Sequence, residues 1–571
     1  MEIQADPQIS SSTRTPLSNA EIADRLASLA QLLSTQKENP YKVKAYRRAA
    51  FSIRTLSESI DELIREEADL TQFEGIGEAI SSAIREIVLT GSLGKLEKLR
   101  SQASPALASI SAYPGLDPRR VLRIYKKLGI SSVEELREQL EGGAIEKALG
   151  MRMAQHVRQG LTETHGMLLY RADGMRDAIE EFLLARCSVR RAEVVGAYRR
   201  RAEIIEEMAF IVETDDFPLV VSKLERYGGR TPLLSSSKDT ALFALSSGIQ
   251  LRIKLASAKD WGLALIDCTG SQAHLRKLTA VTGSLKSLKT KGPFPTESAF
   301  YRSFGLAFIE PELREGYDEV ERAGQGTLPV LITAKDIRGE LHAHSTSSDG
   351  SHSIEQMAAA AKEKGYEYTG ITDHSQSLKI AHGVPVEDLW KQIRYIDKLN
   401  ERLKGFRVLK SSEVDILVDG SLDYPDDLLR ELDYTVCSIH SRFGLGKAEQ
   451  TERIMRAMDN RYFNILGHAT GRLLLKRPGY EIDIGRIIAH AKKNGCFFEI
   501  NSSPDRLDLS AENARLAHAA GIKIAVSTDA HSMREFDNVI YGINQARRAG
   551  LDKTSILNCL PWNKLSQLFR R

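Results

Sequence analysis

Apolar and polar positions follow two rhythms along this chain of 571 residues. From about 337 onward, short apolar runs at 341–344, 368–372, 408–412, 434–439, 463–467 and 522–528 alternate with longer stretches. In those stretches apolar residues recur at the three- and four-residue spacing of an amphipathic helix. Helices are expected over 354–364, 386–403, 448–458, 484–493 and 511–520. Strand followed by helix, repeated about seven times, predicts a closed parallel barrel wrapped in helices. The first hundred residues carry only the helical rhythm, with helices expected over 19–33, 40–56, 60–67 and 78–90.

Length makes this a multi-domain chain. Its 27% charged and 42% hydrophobic residues are those of an ordinary globular protein, and a net charge of +3 leaves nucleic-acid affinity to local patches. Five cysteines, Cys187, Cys268, Cys437, Cys496 and Cys559, are scattered without CxxC spacing, which suits a reducing cytoplasm. No apolar run reaches the ~20 residues that span a bilayer, and the N-terminus has no apolar signal core. Residues 1–17, rich in Ser, Thr, Gln and Pro, read as a disordered tail.

The apolar runs end in metal-ligand residue types. In Leu341-His342-Ala343-His344 an extended backbone sends both imidazoles to one face. Asp349 follows, and later runs deliver His374, Glu413, His440, His468, and finally Asp529 with His531. In parallel barrels the active site lies at the C-terminal strand ends, where these residues fall.

From about 337 to the C-terminus the chain resembles a PHP (polymerase and histidinol phosphatase) domain, a distorted (β/α)7 barrel. The resemblance implies up to three divalent ions. His342, His344, Glu413 and Asp529 would hold one, and Glu413, His440 and His468 a second. Asp349, His374 and His531 would hold the third. Mixed imidazole and carboxylate donors suit Mn, Zn or Fe. Glu413 and Asp529 would be central to catalysis. Arg442, Arg472 and Arg506 follow strand ends and suit either phosphate binding or surface ion pairs, with Arg472 and Arg506 the catalytic candidates.

Near the N-terminus, 41–54 holds five basic and three aromatic residues and no acid. Lys42, Lys44, Arg47 and Arg48 suit either a solvated face or phosphates and stacked bases. The next block, Phe73-Glu74-Gly75-Ile76-Gly77-Glu78, resembles a helix-hairpin-helix, in which Gly75 and Gly77 let the backbone approach a DNA phosphate at a helix N-terminus. Tyr113-Pro114-Gly115-Leu116-Asp117 is a looser second copy, with Gly115 in the turn and Asp117 in place of the usual glycine.

The order of features resembles bacterial family X DNA polymerases. That implies helical DNA-binding domains at 18–100 and 101–170, an α+β nucleotidyltransferase-like palm at 171–260, a thumb at 261–324, a linker at 325–336 and the PHP barrel at 337–571. The thumb signature is 301–315, from Tyr301-Arg302-Ser303-Phe304-Gly305 onward. Family palms carry Gly-Ser-x-Arg-Arg and three aspartates that hold two magnesium ions. Here Ala197 stands at the serine, Glu207 and Ala209 at the paired aspartates, and Leu251 is expected at the third. Thr71-Gln72 stands where animal relatives have a Schiff-base lysine. The expectation is a metal-dependent DNA phosphoesterase, a 3′–5′ exonuclease or abasic-site endonuclease, joined to an inactive polymerase module. It would act in repair on gapped, recessed or abasic DNA in the cytoplasm, nucleoid-associated when on DNA. The alternatives are an active polymerase with proofreading, or a small-molecule phosphatase resembling histidinol phosphatase.

Overall fold

The computed structural model describes residues 17–570 apart from 36–38, 57, 103–117, 131, 152, 155–156, 158–165, 246–248 and 289–291. Gly115, Asp117 and nearly all of the expected N-terminal tail therefore lie outside the described residues.

The described residues form two compact units. The first comprises residues up to 166, 173–193 and 206–255. It opens with helices Asn19–Thr35, Pro40–Thr55, Ile60–Arg65 and Glu78–Thr90, within two residues of their expected ends. Their apolar faces close a core around Leu26, Ala49, Ile53, Ile84 and Ile87. Asn39 caps the second helix through Tyr41 N, with Pro40 at the first helical position. Gly77 opens the Glu78–Thr90 helix with no side-chain cap, and Gly75 turns at φ +84°, which favours glycine.

Next come a short strand β1 (Met167–Leu168), β2 (Arg191–Val195), β3 (Ile204–Ile205), β4 (Glu207–Glu213), β5 (Leu233–Ser236), β6 (Thr240–Ala244) and β7 (Gln250–Leu255). Five of them form a sheet in the order β2-β4-β7-β6-β5, in which β4 and β7 are parallel. β1 and β3 pair with each other as an antiparallel ribbon. That ribbon, within residues 167–172 and 194–205, belongs to the second compact unit together with residue 256 onward.

The second unit is dominated by seven parallel strands: β8 (Gly339–Glu340), β9 (Tyr368–Ile371), β10 (Arg407–Asp415), β11 (Tyr434–Ser438), β12 (Ile465–Leu466), β13 (Phe497–Asn501) and β14 (Ile524–Ser527). They pair in sequence order, and a parallel bridge between Ala343 and Ala530 joins the first strand's end to the last. His344 N donates to Ala530 O at 2.8 Å across it. The barrel is thus nearly closed. Helices wrap it at Ile354–Glu363, Val386–Arg402, Lys447–Met458, Ile484–Asn494 and Ala511–Ala519.

Alternation along the strands sorts the interior into two levels. Leu341, Tyr368, Leu409, Tyr434, Val436, Ile465 and Ala525 form an apolar plug at the N-terminal end, closed by Leu565 and Phe569 of the last helix. Space there is tight: a Cβ on Gly370 would come within 1.8 Å of the Tyr434 hydroxyl. Further along the same inward rows stand Glu413, Asp415, Glu499, Asn501 and Asp529. Outward neighbours such as Val414, Cys437, Phe498, Ile500 and Val526 pack against the helices.

Two expectations change in detail. β8 ends at Glu340, so His342 and His344 lie just past a strand; the Ala343 bridge keeps them extended and on one side. β13 is a strand the run-ending-in-ligand pattern does not pick out, because it ends in Asn501.

Candidate metal centre

All nine candidate ligands converge on the C-terminal mouth of the barrel. Glu413 is the hub. Its Oε1 lies 2.8 Å from His468 Nε2 and 3.3 Å from His440 Nε2. Its Oε2 lies 2.8 Å from His374 Nδ1, 3.4 Å from His342 Nε2 and 3.7 Å from His344 Nε2. Asp529 Oδ1 is 3.0 Å from His344 Nε2 and 3.5 Å from His342 Nε2. Toward the opening, Asp349 Oδ1 sits 3.3 Å from His531 Nε2 and 3.7 Å from His374 Nε2.

Three overlapping groups have donor atoms close enough to share an ion. They are His342, His344, Glu413 and Asp529; His374, Glu413 and His440; and His344, Asp349, His374 and His531. The first matches the expected set. In the second His374 joins Glu413 and His440 where His468 was expected, although His468 still touches Glu413. His374 presents one nitrogen to each of two groups, because its ring stands between Glu413 and Asp349. Asp529 and His468 hold backbone φ of +55° and +26°, left-handed values for residues that carry a side chain.

The donor set fits divalent cations. Fully buried His342 Nε2 and Glu413 Oε2 point into the site without a hydrogen-bond partner, which is costly unless an ion takes them. The field is strongly negative. Burial would lower the His440 pKa, yet the Glu413 charge and Asp415 drive it up to about 10. Burial likewise opposes a rise at His531, which the Asp349 hydrogen bond and the Asp529 charge take to about 9. His342 is raised well above its ordinary value by Glu499, Asp529 and Glu413 against its burial. His344, buried and facing His374 and His531, falls instead, to about 4. A pocket that pulls protons onto three imidazoles attracts cations for the same reason.

Sequence reasoning missed the ring of groups that orients the ligands. Glu499 Oε1 accepts from His342 Nδ1 at 2.6 Å, and its Oε2 accepts from His468 N at 2.8 Å. Asn501 Nδ2 donates to Asp529 Oδ2 at 3.0 Å. Asp415 Oδ1 is 2.5 Å from His440 Nδ1. Asp373 accepts from Ser345 N, Ser345 Oγ and Ser348 Oγ, each at 2.7 Å, and so shapes the turn leading to Asp349. The signal was present: a carboxylate inside the apolar run Phe497-Phe498-Glu499-Ile500 has no reason to be buried unless something there needs it. Such partners typically contribute 10–100-fold to metal affinity. Glu499→Ala is therefore expected to weaken Mn binding by about that factor, read by calorimetric titration of the metal-stripped protein.

The arginines divide. Arg472 is occupied: its Nε donates to Arg506 O at 3.0 Å, and its Nη2 pairs with Glu203 at 2.6 Å and bonds Leu507 O. These bonds tie its Nε and Nη2 to the loop after β13 and to Glu203. Arg506 faces the site, its Nε 3.5 Å from Asp529 Oδ2. Arg442 is exposed two residues after His440.

In the N-terminal helices Lys42, Lys44, Arg47 and Arg48 are all exposed. Lys42 lines one hollow with Gly75 and Gly77, and the Arg48 side chain passes beside the Gly75 turn.

The sheet containing β4 shows a different chemistry. β4 and β7 register Glu207 with Gln250, Met208 with Leu251 and Ala209 with Arg252. Leu251 is fully buried and faces away from Glu207. This corrects the expected alignment: the residues sharing the face of Glu207 and Ala209 are Gln250 and Arg252. Arg252 pairs with Glu207 through two bonds, Nε to Oε1 at 2.9 Å and Nη2 to Oε2 at 2.7 Å. In the second unit Ala197 follows Gly196 in a short turn of helix. Arg199 there grips Glu297 at 2.8 and 2.7 Å, and Arg200 donates to Thr269 O at 2.6 Å and pairs with Glu315.

Comparison with known proteins gives two family matches, a helix-hairpin-helix domain over residues 17–93 and a PHP domain over residues 340–503. The chain is 32% identical over 576 residues to a DNA polymerase/3′-5′ exonuclease PolX of Bacillus subtilis, covering 96% of this chain and 99% of that protein. It is also 32% identical over 232 residues to a probable phosphatase of Thermoanaerobacter, covering 38% of this chain and 89% of that protein. A probable phosphatase of Acetivibrio thermocellus is 30% identical over 212 residues, covering 35% of this chain and 83% of that protein.

Proposed function

Because this chain belongs to the bacterial family X DNA polymerases that carry a C-terminal PHP domain, we propose that its working reaction is metal-dependent hydrolysis of DNA phosphodiesters in the barrel. It acts as a 3′–5′ exonuclease, an abasic-site endonuclease or both, in cytoplasmic DNA repair. The polymerase module holds gapped, recessed or abasic DNA and does not extend it. The observation that carries this reading is a contrast between two sites. The barrel gathers eight further candidate ligands around Glu413, whereas on the palm the described residues facing with Glu207 are Ala209, Gln250 and Arg252, and Glu207 is paired with Arg252.

His342, His344, Glu413 and Asp529 would hold the deepest ion, Glu413, His440, His374 and His468 the next, and Asp349, His374 and His531 the outermost. Divalent ions there, manganese, zinc or iron by donor type, supply Lewis acidity and bring water toward ionisation near neutral pH. The chain's own residues do the rest. Glu499, Asn501 and Asp415 fix the ligand geometry, and Arg506 donates toward a phosphate oxygen. Among the described residues no helix is long and apolar enough to cross a membrane.

Turnover of a 3′-recessed duplex and of p-nitrophenyl phosphate, both in manganese, tests the reading. The duplex is expected to be cut far faster. Turnover of the monoester alone would make this a small-molecule phosphatase; its barrel relatives are named probable phosphatases. Lys42→Ala with Arg48→Ala should weaken duplex binding and reduce the slope of log affinity against log salt by about 0.9 for each phosphate that is no longer neutralised. An unchanged salt slope would show that these cations only face solvent.

A further inference from the structure

Beside Asp529 and His531 a cavity of about 420 Å³ opens, lined also by Tyr170, Ser503, Pro504, Arg506, Thr528 and Asn538. That volume is in the range of small-molecule sites. Tyr170 does not come from the barrel. It follows β1 of the ribbon, and the ribbon is fastened to the barrel loops in two ways. Leu168 and Ile204 pack with Leu474 and Leu507, and Glu203 pairs with Arg472 at 2.6 Å. The same guanidinium donates to the backbone carbonyl of Arg506.

The Tyr170 ring is held before any ligand arrives. It meets the Tyr541 ring edge-on with centroids 6.5 Å apart, and its hydroxyl accepts from Arg171 Nε at 3.0 Å. The acids nearby are engaged: Asp505 pairs with Lys476 at 2.8 Å, and Glu535 accepts from His531 N at 2.6 Å. One end of the cavity therefore carries the metal-ligand candidates Asp529 and His531 with the Arg506 guanidinium, while the other offers an aromatic ring, a proline and a side-chain amide. Phosphate alone needs only the first end. A nucleotide needs both.

We propose that this cavity is the subsite for the base and sugar of the nucleotide whose phosphate lies at the metal centre, with Tyr170 as the surface against which the base packs. This deepens the phosphodiesterase reading and rests on it. It also assigns a role to the ribbon, which brings a residue from outside the barrel to the substrate. Packing of this kind accepts any base, because every base has a π face. Tyr170 is thus a substrate-binding residue, and the Glu203–Arg472 pair positions it.

The test is calorimetric titration of the full-length, manganese-loaded protein with thymidine 5′-monophosphate and with deoxyribose 5-phosphate, which lacks the base. Wild type is expected to prefer the nucleotide by roughly ten- to a hundredfold, the scale of one base–aromatic contact. In Tyr170→Ala that preference should collapse toward unity, while Tyr170→Phe and Tyr170→Trp keep it. Equal weakening of both ligands in Tyr170→Ala, or no preference in wild type, overturns the subsite. Should Tyr170→Ala fail to fold, loss of preference in the Phe and Trp variants overturns it equally. Absence of DNA cleavage by a wild type that retains the preference would instead remove the nuclease reading and leave the subsite standing.

Discussion

Glu413→Ala is expected to abolish phosphodiester cleavage and to strip the barrel of most of its metal. A single buried carboxylate faces five imidazoles, those of His342, His344, His374, His440 and His468, at 2.8 to 3.7 Å. Two of the three candidate ion groups contain it. Its pKa lies well below the usual carboxylate range, because the imidazoles around it outweigh the burial that would raise it. Without it the five rings lose the one carboxylate they share, and breaking a buried charge pairing is itself destabilising by about 3–5 kcal/mol. Losing the ions removes several kcal/mol of transition-state stabilisation, so cleavage should fall by roughly a thousandfold or more. His342→Ala and Asp529→Asn should be inactive as well. His374→Ala should retain more metal than Glu413→Ala, because the group of His342, His344, Glu413 and Asp529 survives it. Elemental analysis with cleavage of a 3′-recessed duplex decides the matter. Undiminished cleavage by Glu413→Ala would take the barrel out of the mechanism.

Primer extension is expected to be undetectable in magnesium or manganese. Two-metal nucleotidyl transfer needs several anions on one strand face, and here that face carries Glu207, Ala209, Gln250 and Arg252. Glu207 is further committed to a two-bond pairing with Arg252, which puts a fixed positive charge where cations would have to gather. Removing one electrostatic interaction of this kind costs about 2.7–4 kcal/mol, taking an oxyanion-hole donor as the scale, so the absence of two amounts to roughly ten-thousandfold or more. Glu203 offers no replacement for Glu207. Its carboxylate is paired with Arg472 at 2.6 Å. A gapped primer–template with all four nucleotides, assayed in a His342→Ala background so that nuclease cannot remove product, gives the answer. Templated extension would restore polymerase activity to this chain and end the reading of its palm as a DNA-holding module.

What the sequence determined by itself was whatever depends on near neighbours. Helices such as Glu78–Thr90 follow from local spacing and a preceding glycine, and the barrel follows from the repeated alternation of strand and helix. The ligands were legible because each is a histidine or acid of unmistakable type at the end of an apolar run, which in a parallel barrel fixes which end of the fold it reaches. Tertiary structure decided which partners meet. Glu499 and Asn501 reach the ligands only because β13 is slotted between β12 and β14, a pairing of segments far apart in the chain. Leu251 and Gln250 differ by one residue in sequence but face opposite sides of the sheet. The hydrogen-bond register with distant β4 chooses between them, and a slip of one residue would invert every side chain. Arg472 and Arg506 look alike as basic residues after strands, yet one pairs with Glu203 from a remote segment while the other faces the metal site. Tyr170 reaches that site only through a ribbon closed by residues more than thirty positions later in the chain. Side-chain type and local period are written within a few residues, whereas register, pairing and burial are set by contacts between residues far apart, and the chemistry of this protein is finished by those contacts.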